Sequence, residues 1–529
     1  MKTKIGMFVA VVAASGMALT GCSGSSSSSG SPKAGSATLR VGSTAISTLN
    51  YDKSNAGYAL GLGDLVLEPL LVLNSNNSLT PWLARSWTHP KPTTYIYNIR
   101  QGVKFADGDP LTAADVVFSL DYYRKTGSAN QYNFPSDLKS ITATDPNTVQ
   151  ITLSKPDSSW AVVPAASQLG IFEKRFFEAH KSTFGQPGTG VSGTGPWQLT
   201  SLDPTTGAEL TANPHYWGGQ PPFSHISWKF FTSETDEALA FRAGDIDLAF
   251  PQDNTAFATT AGTKLLTVPG ATVVGTFEMN VLDKPWSDVH VRRAVAYALD
   301  KPALINAYGG YAAPQTTLIT SAMLGTVGSQ AQVQQVLGAV PPYSYNLAKA
   351  KAEMQQSAYP NGVTATLVTD STSADVNISQ AIVAELQRIG IHAKLKTVSP
   401  DALTTVSLGK NRAAVPSGFS TYGAVSLDPG EGFDYAMGSW NATAGNWNST
   451  NWSTPAVDQI VKEGLATSDA AQRMSLYRQL LIDYANAAPL IPIFASETTV
   501  ALSSKYTWPS FSSTWQLKAP WALGIKAAG

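Results

Sequence analysis

At 529 residues the chain is too long for one hydrophobic core, since cores stop growing at about 250–300 residues, so two or three domains or lobes are expected. A formal net charge of -1 supplies no field for a nucleic-acid partner. A single cysteine excludes a disulfide framework, a thiolate metal site and a cysteine nucleophile from the folded part.

In chain order, Lys2 and Lys4 precede the apolar run IGMFVAVVAASGMALT, the pattern of a secretory signal, which ends in Leu19-Thr20-Gly21-Cys22. Small residues before a cysteine resemble the bacterial lipobox, so a signal over 1–21 and lipid attachment at Cys22 are expected. The Ser-rich stretch that follows, within 22–37, buries nothing and reads as a flexible tether spanning about 20 Å. No later run reaches about 18 consecutive apolar residues, the length a membrane-spanning helix needs.

TLRVG (38–42) reads as a short alternating strand, and TYIYNIRQGVKF (94–105) as strand-like up to the turn ADGDP. LTAADVVFSLDYYRK then reads as a helix, capped by Thr112 with Asp115 and carrying the stripe Val116, Val117, Leu120 and Tyr123. The Gly/Pro-rich stretch 185–197 is a candidate boundary. TATLVTD (364–370), a helix over 373–390 stopped by Gly390, and IHAKLKTV (391–398) form a strand–helix–strand unit, hence a parallel pair with a right-handed crossover. A long helix over 470–488 precedes PLIPIFA, read as a short strand.

Catalytic signatures are wanting. The six histidines (89, 180, 215, 225, 290, 392) are scattered, with no HExxH among them, and no GxSxG or phosphate-binding GxxxxGK[ST] occurs. GTGVSG (188–193) matches GxGxxG formally, but it follows no strand and reads as a loop. Asp245 and Asp247 read as solvated acids on a strand edge, against a glycosidase pair. The reading is a binding protein that is not an enzyme; a secreted hydrolase is the alternative from another class, and a surface sensor or adhesin a third.

Several blocks in the right order resemble the family 5 extracellular solute-binding proteins of ABC importers, the dipeptide, oligopeptide and nickel binders. They are LVLEPLLVLNSNNSLTPWLARSWT (65–88), YIYNIRQGVKFADGDPLTAADVVFS (95–119), GTGPW (193–197), NPHYWGG (213–219), FRAGDIDLAF (241–250) and WSDVHVRRAVAYALDKPALI (286–305). The resemblance implies an α/β, two-lobed, periplasmic-binding-protein-like fold of class II, with an extra domain in the first lobe and the ligand cleft between lobes. It divides the chain into a first lobe at 38–65, 192–268 and 489–529, the extra domain at 66–191 and the second lobe at 269–488. It also makes Arg292 and Arg293 structural rather than ligand-holding.

In peptide-binding members the loop YGAVSLDP (422–429) looks like W-x-x-D-x-x-D/E-P, whose first acid holds a peptide ammonium. Here Tyr422 replaces the tryptophan and Val425 the acid, while Asp428 keeps the second acid before Pro429. An α-amino ligand is thereby put in question, unless Asp428, Asp434 or another acid substitutes. Trp440 and Trp447 stand among Asn and Ser/Thr side chains that suit an oligosaccharide's faces and hydroxyls, or an apolar peptide; equally, these rings could pack a surface loop. Tyr132 falls where family members place a ligand-facing aromatic, and Lys410 and Arg412 could accept an anionic group or stay solvated. The resemblance implies a lipid-anchored, monomeric substrate-binding protein outside the cytoplasmic membrane. It would deliver a small solute, a peptide by family default or an oligosaccharide, to an ABC permease driven by a cytoplasmic ATPase; no cofactor is expected, the scattered histidines speak against a metal, and the near-zero charge against nucleic acid.

Overall fold

A computed structural model describes residues 37–528 except 54–60, 75–77, 126–133, 135–136, 252–254, 259–261, 311, 408, 424–426, 444–446 and 519. Cys22, Tyr132 and Val425 lie outside the described residues. The first lobe opens with β1 (Thr38–Thr44), which alternates as its sequence does: Leu39 and Val41 are fully buried, while Arg40 reaches across to Asp247. A hairpin of β2 (Leu71–Leu73) and β3 (Leu79–Pro81) leads into β4 (Ala84–Lys91) and β5 (Thr94–Ile99). The sequence reading ran this last strand on to 105; it stops at Ile99, and Gly102 takes φ +79°, a turn conformation open to glycine.

Helix α1 (Ala113–Tyr123) begins where its capping pair stands, with the Thr112 amide donating to Asp115 at 3.0 Å. It packs on an antiparallel sheet of order β4-β5-β7-β6, completed by β6 (Leu138–Asp145) and β7 (Thr148–Leu153). Tyr95, Tyr97 and Ile99 on β5, with Val149, Ile151 and Leu153 on β7, are the buried alternate residues of that sheet. An antiparallel meander of β8 (Trp197–Asp203), β9 (Gly207–Ala212) and β10 (His225–Phe231) follows, then α2 (Glu234–Ala243) and β11 (Leu248–Ala249). β1 lies between β10 and β11, parallel to both.

The second lobe is threaded by β12 (Thr263–Glu278), α3 (Val289–Ala298) and the short β13 (Ala312–Pro314). β14 (Val363–Asp370), α4 (Ser373–Gln387) and β15 (Ile391–Val398) form the parallel unit, in register from Val363↔Ile391 to Asp370↔Val398. Ile378, Ile382 and Leu386 of α4 are fully buried, each worth roughly 1.5–3 kcal/mol, and Gly390 turns the chain at φ +86°. β16 (Gly418–Gly423), α5 (Pro429–Met437), α6 (Pro455–Ala466) and α7 (Ala470–Ala487) complete it. Arg292 and Arg293 donate to the carbonyls of Ala487 and Asn486, at the last turn of α7.

Two strands tie the lobes together. PLIPIFA, read as a short strand, is the start of β17 (Leu490–Ser503), which runs 14 residues beside the 16 of β12. Its first half pairs with Val274–Glu278 and packs in a core with Ile378 and Ile391; its second half pairs with Thr263–Val268, and Val500 and Leu502 join the first lobe's core. Between Pro269 and Val274 the register shifts, so β12 bends where the chain passes from one core to the other. The joint sheet has the order β16-β12-β17-β11-β1-β10-β9-β8.

Candidate functional site

In open α/β sheets ligands gather beyond the carboxyl ends of parallel strands. In the first lobe β11 ends beside β1 and runs into Phe250, whose ring stacks on Trp515 at 5.2 Å and on Trp228 at 6.1 Å. Trp508 and Trp521 close the cluster, 5.4 Å apart. In the second lobe Gly423, the last residue of β16, pairs with Val273 beside the bend in β12. The lobes touch there: Leu73 of β2 packs among Leu318, Leu427 and Tyr477, and the Ser158 hydroxyl donates to the Gly464 carbonyl at 3.2 Å.

The loop wall is self-satisfied. Tyr422 is half-buried against that same cluster, its hydroxyl donating to the Gly432 carbonyl at 3.2 Å, and burial pushes that hydroxyl's pKa up. Asp428 does not stand open for an ammonium. It caps α5 by accepting from the Gly430 amide at 2.7 Å, and both its oxygens accept from Arg473 at 2.6 and 2.7 Å. Burial opposes the charge of Arg473, but the Asp428 carboxylate outweighs it and holds the guanidinium above its ordinary range. Asp434 is taken up too, accepting from Trp440 Nε1 at 2.8 Å and Asn441 at 3.0 Å, with burial pushing its pKa up.

The amides that the sequence offered to sugar hydroxyls serve their own loop instead. Asn448 donates to the carbonyls of Gly438 and Trp452, and Asn451 to Asn280 and Arg412. Arg412 is not solvated: its guanidinium donates to Asn451, Ser407 and Asn448, and burial lowers its pKa. Lys410 is exposed, and Trp447, 46 % exposed, is the most open of the described candidate rings. Glu278 adds a buried acid to this side, bonded by Ser449 and Thr276 hydroxyls, with burial pushing its pKa up.

In the first lobe a cavity of about 330 Å³ opens beside Leu73 of the seam, a size that admits a small solute. Leu73, Asn74 and Trp82 line it from one side; Trp508, Trp515, Lys518 and Trp521 line it from the C-terminal segment. Sequence reasoning passed over this segment, although WPSFSSTWQLKAPW places three tryptophans in one short polar tail. Trp82 is fastened from behind by Glu68, which accepts its Nε1 at 2.8 Å, Trp217 Nε1 at 3.0 Å and the Thr194 hydroxyl at 2.7 Å. Burial, partly offset by these donors, pushes the Glu68 carboxyl up to about 7.

Two other acid groups are explained without ligand. Asp247 is buried, not solvated, and forks onto Arg40 through two 2.7 Å bonds. Asp107, Asp109 and Glu173 converge, but Arg175 bonds or pairs with all three.

The family model of bacterial extracellular solute-binding proteins, family 5, matches residues 78–452. The glutathione-binding protein GsiB of Escherichia coli is 27% identical over 485 residues, covering 89% of this chain and 90% of that one. Among solved structures, HbpA2 from Haemophilus parasuis superposes with a TM-score of 0.79 at 23% identity, covering 93% of this chain and 100% of that one. The periplasmic binding protein DppA from Helicobacter pylori, in complex with the peptide STSA, gives 0.71 at 21%, covering 94% and 99%. These likenesses place the two-lobed α/β architecture among the periplasmic binding proteins.

Proposed function

The chain belongs to the bacterial extracellular solute-binding proteins, family 5, and from that premise we propose that it captures a small peptide between its lobes and hands it to an ABC permease. The observation that carries this reading is the pairing of two unlike walls across one seam. Leu73 lines the tryptophan cavity and also packs in one cluster with Leu427 of the loop wall, whose polar groups are already satisfied, and among the described residues β12 and β17 run from core to core. Ligand contacts made to both walls would favour the closed arrangement, with the bend at Pro269–Val274 as the hinge. Glutathione and peptide binding by similar proteins supports a peptide over an oligosaccharide, as does the use of Asn448 and Asn451 within their own loop.

Cys22 would hold the body to the membrane through lipid, with the Ser-rich stretch as tether; Cys22→Ser should abolish incorporation of labelled fatty acid into the protein. The capture reading is tested by native mass spectrometry and thermal shift on residues 37–529, against glutathione, short peptides and oligosaccharides. A co-purified peptide, or stabilisation by peptides alone, supports it. Stabilisation by sugars alone transfers the site to the oligosaccharide class, and released product from an incubated peptide or glycan makes the protein a hydrolase.

A further inference from the structure

We propose that the tryptophan cavity of the first lobe receives a carboxylate of the solute, held by the Lys518 ammonium with the solute's carbon frame against Trp82, Trp508 and Trp521. This rests on the solute-capture reading and names the chemistry its ligand must carry. Lys518 is the one charged residue among those described as lining the cavity. It is half-buried, its ammonium has no hydrogen-bond or ion-pair partner among the described residues, and burial lowers its pKa. A cation in that state gains more from an incoming anion than a solvated surface lysine does, because part of its desolvation is already done.

The two guanidiniums of the loop wall are committed, while Lys410 is exposed and is not among the residues lining the cavity. Arg473 is held by Asp428 and Arg412 by three groups of its own lobe, so neither can meet an anion without giving up a partner. The Glu68 carboxyl behind Trp82 is occupied by two indoles and a hydroxyl. Four tryptophans, Trp82, Trp508, Trp515 and Trp521, line the same cavity as Lys518, rings suited to flat or apolar carbon, and 330 Å³ suits a short peptide or a sugar acid. Recognition would then run through the acid end of the solute, which answers how a loop with Val425 in place of an acid can belong to a binder of charged ligands.

The test uses residues 37–529 and matched probes: tri- to pentapeptides as free acids and as C-terminal amides, and trigalacturonate beside maltotriose. The acid of each binding pair should bind at least tenfold tighter by calorimetry. Lys518→Met should abolish that preference at an unchanged melting temperature, and Lys518→Arg should keep it; Lys518→Gln serves if the methionine variant does not fold. Equal binding of acid and amide, or a preference that survives Lys518→Met, overturns the carboxylate assignment and leaves solute capture standing. Binding by no probe of either kind overturns both.

Discussion

The two walls of the seam differ in what their residues have left to give. Along the loop wall, Asp428, Asp434, Arg412, Asn448 and Asn451 each have protein partners within hydrogen-bonding distance. In the tryptophan cavity, Trp82 is fixed from behind by Glu68 while Lys518 faces the space without a partner among the described residues. A polar group bound by its own fold contributes to stability and offers little to a ligand, since swapping one partner for another nets almost nothing. Removing such groups should therefore be felt in melting curves on the loop wall and in binding curves in the cavity.

The largest effect is expected at the buried pair. Arg473→Met leaves Asp428, whose side chain is 2% exposed, as a lone buried charge, a loss of roughly 3–5 kcal/mol. Denaturant unfolding should show the fall, and Arg473→Met with Asp428→Leu should recover much of it. A single variant as stable as the parent would mean that Asp428 is free for a ligand ammonium, and the contrast between the walls would collapse.

Next comes the staple behind Trp82. Glu68 titrates at about 7 in the fold against an ordinary 4.5, so the folded state holds its proton more tightly than the unfolded chain. The stability this group contributes is full below pH 4.5 and drains away as pH rises to about 7, by up to roughly 3 kcal/mol for a shift of 7 − 4.5 = 2.5. Glu68→Gln should remove that part of the slope when unfolding is compared across those pH values. Parallel slopes in variant and parent would mean that the carboxyl stays ionised behind Trp82.

Some of this was legible beforehand and some was not, for physical reasons. The β14–α4–β15 unit announces itself because its periodicity is local and Gly390 marks its turn. The length of β17 was hidden by Ser496, Glu497 and Thr498, polar residues that read as a strand's end but mark its passage between two cores. Asp247 looked solvated because its partner, Arg40, stands 207 residues away in sequence. The saturation of the loop wall has the same origin: Arg412 meets Asn448 and Asn451 only after folding, and sequence spacing carries no trace of it. The tryptophan tail was visible as composition, yet its meaning depends on Trp82 approaching from the other side.

A smaller effect separates packing from binding at Tyr422. From sequence its ring belongs to the pocket, and Tyr422→Ala should then weaken affinity alone. Since the ring is half-buried against the cluster that holds Leu427 and Phe433, the change should instead cost about 1–2 kcal/mol of stability. Tyr422→Phe, which loses only the bond to the Gly432 carbonyl, should cost about 1 kcal/mol or less. Unchanged melting with lost affinity would return the ring to the ligand.

Trp447 should show the smallest stability change and so gives the sharpest reading of the loop wall. Its side chain is 46% exposed, so Trp447→Ala should alter stability by less than about 0.5 kcal/mol. An exposed ring has packing surface still unspent, and stacking on a solute would be worth about 0.5–1.5 kcal/mol, a severalfold loss of affinity in the variant. Trp440 is the control: half-buried, bonded to Asp434 and covered by Lys462 at 4.9 Å, it should lose stability when truncated and leave affinity nearly untouched. If titration with a bound peptide shows the reverse order, the second lobe meets its solute through the satisfied part of its wall. Ligand contacts on this side of the seam would then fall to groups the fold has already used.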